Sequence, residues 1–315
     1  MGNYASASSL PPFKHDKNFK IWFQLLRPHT LTAGFIPVFV GTVLALLDGF
    51  FRLDLFIAML IASLFIQSAT NMFNEYYDFK RGLDHENSVG IGGAIVRHGV
   101  KPETVLRLAF VFYGISLLLG LYICFHSSWW IALVGFICMC AGYFYTGGPY
   151  PIAYTPFGEI TAGLFMGVII VSISFFIQTG FISLQVILMS LPLSLLIATI
   201  LMANNIRDLD GDKQNGRKTL AIMLGRKNAI ICLSIIFGLS YLLPTLFIIF
   251  GYGSLWLLLV AFSIPHAIKA IKGFIGKIKP IEMMPAMKAT AQTNTIFGLF
   301  LSIGLLIHYF IENYS

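Results

Sequence analysis

Long runs of apolar positions, separated by polar breaks of unequal length, organise this chain. Nine runs are long enough to cross a bilayer, which takes about 20 apolar residues in a helix. They lie near 29–48, 54–74, 104–126, 129–146, 157–178, 184–204, 229–250, 254–272 and 291–312. The break at 126–129 is slight, so the third and fourth runs also read as one long kinked helix. The pattern predicts an all-α, polytopic membrane protein of about nine transmembrane helices. Breaks near 48–53, 126–128, 179–183 and 251–253 are short, whereas those at 75–103, 205–228 and 273–290 are long and polar. Long connections in a compact protein are usually functional or disordered.

Composition agrees. Hydrophobic residues make up 57% of the 315 and charged residues 11%, with a mean hydropathy of +0.79, which leaves too little polar surface for a soluble domain of this length. Charge then orients the helices. With a cytoplasmic N-terminus, segments 1–28, 75–103, 147–156, 205–228 and 273–290 face inward, and of the 21 Lys and Arg residues only Arg52 falls outside them and their flanking helix ends. That is the bias of the positive-inside rule. The net charge of +7 is therefore a topology signal and gives no reason to expect nucleic-acid binding. Residues 1–28 are polar and basic with no cleavable signal, so they read as a cytoplasmic N-terminal segment ahead of a single transmembrane domain, 29–315. Cys124, Cys138, Cys140 and Cys232 all fall within predicted spans and read as packing residues. The seven histidines, from His15 and His29 to His308, show no ligand spacing, and Asp48, Asp54 and Glu312 read as solvation of outer helix ends.

Two acid-rich segments stand where apolar runs end. The first is Asn71-Met-Phe-Asn74-Glu75-Tyr76-Tyr77-Asp78-Phe-Lys80-Arg81-Gly82-Leu-Asp84, and the second runs from Asn204 and Asn205 through Arg207, Asp208, Asp210 and Asp212 to Gly216, Arg217 and Lys218. On a helix, Asn74 with Asp78, and Asn204 with Asp208 and Asp212, fall on one face at i, i+4 spacing, while Asp210 points away from Asp208. Ionisable groups at a membrane are expensive and default to function, and clustered carboxylates stay ionised only with a cation beside them. Hard oxygen ligands with room for phosphate suit Mg2+. Lys80, Arg81, Arg97, Arg207, Arg217 and Lys218 lie close enough in sequence to bind phosphate oxygens, and each serves equally well as a topology charge. Both segments follow the same plan, four spans apart, which predicts two half-sites facing across a central cavity. Gly90-Ile-Gly92-Gly93 matches no nucleotide-binding pattern and reads as a tight turn or lid. The string Tyr143-Phe-Tyr145-Thr-Gly147-Gly148-Pro149-Tyr150-Pro151 ends a span in turn chemistry.

These residues resemble the intramembrane aromatic prenyltransferases of the UbiA superfamily. The family's first motif, Asn-Asp-x-x-Asp, is similar to Asn74-Glu75-Tyr-Tyr-Asp78, with Glu in place of Asp; its second is similar to Asp208 through Asp212 with Gly216 and Lys218. The Arg27-Pro28-His-Thr30 entry to the first span also resembles the family. Within it, the strings NEYYDFKRGLD, GIGGAIVRHG, YTGGPYPIAYTPFGE and NNIRDLDGDKQNGRKTLA resemble the branch that prenylates 1,4-dihydroxy-2-naphthoate for menaquinone biosynthesis. The 4-hydroxybenzoate branch typically carries Tyr then Lys-Arg at the end of the fourth span, and no basic residue stands there in this chain. Position 82 is Gly where some members have a third acid, and Asp84 is the neighbouring substitute.

The resemblance implies a bundle around a central cavity open to the cytoplasm and laterally to lipid. It implies Mg2+ on Asn74, Asp78, Asp208 and Asp212, with Asp84 as a further ligand, and Asp78, Asp208 and Asp212 as the catalytic acids. Lys80, Arg81, Arg97 and Lys218 would hold the diphosphate of a polyprenyl donor, and Tyr145 would lie in the aromatic acceptor pocket. 4-Hydroxybenzoate, homogentisate and tetrapyrrole acceptors are the alternatives within the family. A secondary transporter fits less well, because such proteins hold their ionisable groups near the midplane on broken helices; a CDP-alcohol phosphotransferase would need an Asp-Gly-x-x-Ala-Arg motif that is missing. Neither tail length nor oligomeric state has a sequence signature here.

Overall fold

The computed structural model describes residues 19–86, 88–90 and 92–314. His15, the side chains of His29 and Glu312, and positions 1–18 of the expected N-terminal segment lie outside the described residues. Among the described residues every regular element is helical: α1 (Phe19–Leu25), α2 (Pro28–Leu47), α3 (Leu53–Lys80), α4 (Pro102–His126), α5 (Trp130–Phe144), α6 (Gly158–Thr179), α7 (Leu184–Gln214), α8 (Leu220–Ile249), α9 (Leu255–Phe274) and α10 (Pro280–Tyr314). Eight of these are long and apolar enough to span a membrane. The expected span near 129–146 is the exception: α5 has 15 residues, about 22 Å at 1.5 Å per residue, short of the roughly 30 Å hydrocarbon core.

Helix neighbours follow the chain. α3 packs on α4 and α7 on α8, while α10 returns to lie against α2, α7 and α9. The main core joins α2 with α6 through α10 around Phe175, Leu193, Phe237, Phe297 and Leu301. A second cluster, built on Phe73 and Tyr113, joins α3 and α4 and draws in Ile21 and Leu25 of α1. The last third of the expected polar N-terminal segment is thus a packed helix. Where α6 crosses α7 the backbones come very close: a Cβ on Gly167 would stand 2.4 Å from the Ser194 Cα. Gly163–Ile169 there forms a π-helical turn, a distortion that tends to mark functional sites.

Candidate active site

α3 and α7 carry both acid sets as helix, since α3 continues to Lys80 and α7 to Gln214. The faces expected from i, i+4 spacing are therefore real, and they meet. Asn74, Asp78, Asn204, Asp208 and Asp212, together with Asp84 from the following loop, line one polar cavity of about 440 Å³. Arg27, Arg207, Arg217 and Tyr145 line it as well.

Arginines neutralise most of these acids. Arg217 Nη2 donates to Asp78 Oδ1 at 2.7 Å and its Nη1 to Asp212 Oδ1 at 3.1 Å, tying α3 to the end of α7. Its guanidinium lies 4.9 Å from the Tyr154 ring centroid. Arg207 forks onto Asp208, with Nε 2.7 Å from Oδ1. Asp210 also borders the cavity, where its exposed carboxylate pairs with Arg226, 2.7 Å apart. Asp84 differs: its Oδ2 is buried without a hydrogen-bond partner. Burial, then the charge of Asp78, pushes its carboxyl up to about 7, although Arg27 and Arg217 pull the other way.

Among the described residues no three His, Cys, Asp or Glu side chains stand in a ready metal-binding arrangement, and Arg217 and Arg207 engage Asp78, Asp212 and Asp208. The donor set itself fits a hard divalent cation. It consists of carboxylate and amide oxygens lining one cavity, with the Asp84 Oδ2 still to be satisfied. Asn74 Oδ1 accepts from Thr146 Oγ1 at 2.7 Å, which fixes its rotamer.

Glu75 does not face the cavity. It is buried, and its two carboxylate oxygens accept from the backbone N–H groups of Gly93 and Ile95 at 3.2 and 3.1 Å. The glycine run is thereby folded down over the acids, and Ser88, Val89 and Gly90 join the cavity wall. Gly90 has φ +82°, and a Cβ there would meet the Arg207 guanidinium. Arg97 belongs to this loop: it donates to the Ser88 carbonyl at 3.0 Å and the Gly92 carbonyl at 3.3 Å.

The other bases expected to hold phosphate are also placed elsewhere. Arg81 donates to the Thr146 and Gly148 carbonyls, pinning the turn after α5. Lys80 is exposed and lies 5.8 Å from the Tyr76 ring centroid; Lys218 is exposed. None of the four lines the cavity. The cavity cations are Arg27, Arg207 and Arg217. Arg27 caps α2 with φ 51°, the single positive φ among described non-glycine residues. Its Nε is buried without a partner.

A second cavity, about 310 Å³ and mostly apolar, lies within α2 through α7. It shares Arg27, Asn74, Tyr145, Leu201 and Asn204 with the polar one, so the two abut there. Leu117 of α4 and Phe136 of α5 line it and are 54% and 65% exposed, which brings the cavity to the bundle surface between those helices. One buried acid escaped sequence reasoning. Glu159, at the start of α6, is buried and accepts from Asn205 Nδ2 at 2.9 Å. Its only sequence signal is its place at the end of the YTGGPYPIAYTPFGE string.

Comparison with known proteins matches residues 34–279 to the UbiA prenyltransferase family model. The chain is 57% identical, over 92% of its length and 94% of the relative's, to 1,4-dihydroxy-2-naphthoate octaprenyltransferase of Bacillus subtilis (strain 168). It is 30% identical to UbiA prenyltransferase domain-containing protein 1 of Danio rerio, over 90% of this chain and 82% of that one. A solved UbiA homolog from Archaeoglobus fulgidus, bound to GPP and Mg2+, superposes with a TM-score of 0.64 at 16% identity, covering 90% of this chain and 99% of its own.

Proposed function

Because the chain belongs to the UbiA prenyltransferase family, we propose that it transfers a polyprenyl group from its diphosphate to 1,4-dihydroxy-2-naphthoate. Diphosphate and CO2 leave, and the product is demethylmenaquinol. The observation that carries this reading is the pair of abutting cavities, one polar and acid-lined and one apolar and reaching the bundle surface. A substrate with a diphosphate head and a hydrocarbon tail needs that division. The 57% identity to the Bacillus subtilis enzyme supports the naphthoate as acceptor. We place residues 29–315 in the cell membrane as one domain, with the N-terminus and both acid-bearing segments on the cytoplasmic side.

The residues divide the work as follows. Asn74, Asp78, Asp84, Asp208 and Asp212 would hold Mg2+, which supplies counter-charge to the departing diphosphate. Arg27, Arg207 and Arg217, which line the same cavity, add N–H donors for phosphate oxygens, the electrostatic stabilisation that counts most where charge develops. The reacting carbon then falls at the junction lined by Asn74, Tyr145 and Asn204. There the C1–O bond breaks with its electron pair on the diphosphate, a ring carbon of the naphthoate forms the new C–C bond, and the ring–carboxylate bond breaks, so that CO2 leaves and its bonding pair restores the aromatic ring. The loop held by Glu75 shields this step from water, and the tail runs between α4 and α5 to lipid.

Purified protein with Mg2+, a polyprenyl diphosphate and a panel of aromatic acceptors tests this, with products identified by mass. Prenylated 1,4-naphthalenediol without the carboxylate is expected, and no reaction of 4-hydroxybenzoate. Equal turnover of 4-hydroxybenzoate, or a naphthoate product that keeps its carboxylate, would move the protein to another branch.

A further inference from the structure

Arg217 occupies a position that the proposed chemistry cannot leave unchanged. Its two terminal nitrogens take one oxygen each from Asp78 and Asp212, acids brought together from α3 and α7. Two carboxylates in a poorly hydrated site repel each other unless a cation stands between them, and here the guanidinium is that cation. A metal ion binding these acids would compete with the guanidinium for the same two carboxylates. The guanidinium also has somewhere to go. It rests on the face of Tyr154, whose backbone carbonyl accepts from Lys218 N at 2.9 Å. Its Nε is buried without a partner, and the side chain borders the polar cavity.

We infer that Arg217 is a resident counter-cation that is exchanged during substrate loading. Without metal it clamps Asp78 to Asp212. When the metal–diphosphate complex enters, Arg217 yields the two acids to the metal and turns its N–H donors to a phosphate oxygen. Metal alone must displace a cation with no compensation, so it binds weakly; metal with diphosphate gives the displaced guanidinium a new anion. Binding of the two is therefore positively coupled, and Arg217 carries the coupling. Arg217 thus exchanges contacts with two acids for direct contact with the substrate's phosphate, and this inference rests on the reading of the cavity as a metal–diphosphate site.

The test uses purified full-length protein in detergent and Mn2+ as an EPR-visible probe, titrated with and without inorganic pyrophosphate and corrected for the Mn2+–pyrophosphate complex free in solution. Arg217→Gln should bind Mn2+ alone at least tenfold more tightly than the parent protein, and pyrophosphate should tighten it far less than it tightens the parent. Arg217→Lys, whose single ammonium reaches one acid but not both, should fall between them. Parent-like or weaker Mn2+ affinity in Arg217→Gln, with the parent still binding Mn2+ and pyrophosphate together, overturns this inference and leaves the proposed function standing. If Arg217→Gln does not fold, Arg217→Lys decides by the same criterion. Absence of Mn2+ binding by every form, pyrophosphate included, overturns the metal–diphosphate reading and this inference with it.

Discussion

Glu75 and Gly92 fit each other so closely that a Cβ on the glycine would stand 2.3 Å from the Glu75 Oε2. The acid that looks like part of a metal motif is thus the anchor of the loop that borders the polar cavity. It receives the two N–H groups at Gly93 and Ile95, and the missing side chain at position 92 lets the loop backbone approach.

Glu75→Gln should therefore loosen the loop and leave the helices intact. One N–H would face an amide NH2 in place of a carboxylate, and hydrogen bonds to charged groups contribute about 1.5–3 kcal/mol each. Hydrogen exchange at residues 88–96 should speed up by about tenfold or more, while exchange in α7 and α10 stays as it was. Gly92→Ala should act in the same direction through the clash. Unchanged exchange at 88–96 in both variants would remove Glu75 from this role.

Much of this architecture is legible in the sequence, for a physical reason. A bilayer demands long apolar helices and penalises every charge within them, so spans and acid sets stand out in one dimension. The i, i+4, i+8 spacing of Asn204, Asp208 and Asp212 even gives the correct face. The bases are not legible in the same way. Lys80 and Arg81 are nearer in sequence to Asp78 than Arg217 is, yet the helix points them at Tyr76 and the 146–148 turn. Arg217 arrives from 139 positions away, and Arg27 reaches the cavity through a left-handed cap. Helical phase fixes direction only along one element; how the ends of two elements face each other is set by packing.

Substitution at the acids should separate chemistry from folding. Asp78→Ala or Asp208→Ala removes a cavity oxygen donor without emptying a packed core. Turnover should fall by at least about 100-fold, on the scale of losing one preorganised electrostatic group, while the gel-filtration profile in detergent stays monodisperse. Chelation by EDTA should abolish turnover of the parent protein, and added Mg2+ should restore it. Near-normal turnover of either variant at saturating Mg2+ would sink the metal assignment.

Topology gives an independent check. In a background without the four native cysteines, a cysteine at Asn215, exposed just beyond α7, should resist a membrane-impermeant thiol reagent in intact cells. It should react once the membrane is opened. A cysteine at Phe51, 52% exposed between α2 and α3, should label in intact cells. The reverse pattern would invert the orientation derived from the basic residues.

The apolar cavity can be narrowed without disturbing its walls. Gly135 lies on α5 and lines the cavity, and a Cβ there would meet nothing within 4 Å. Gly135→Leu therefore projects a side chain into open space, and the change also favours the helix by up to about 1 kcal/mol. Folding should be kept or improved. Gly135 lines the apolar cavity of about 310 Å³ and not the polar one, so a leucine side chain there would take space from the proposed path of the prenyl tail. The expected result is chain-length discrimination. The KM for a long polyprenyl diphosphate should rise by roughly tenfold, taking about 1.4 kcal/mol per factor of ten, whereas a two-unit donor should be turned over almost as before. Apparent Mg2+ dependence should not change, because no cavity oxygen is moved. An equal loss with short and long donors would show that the tail does not pass Gly135, and would require another path through the bundle.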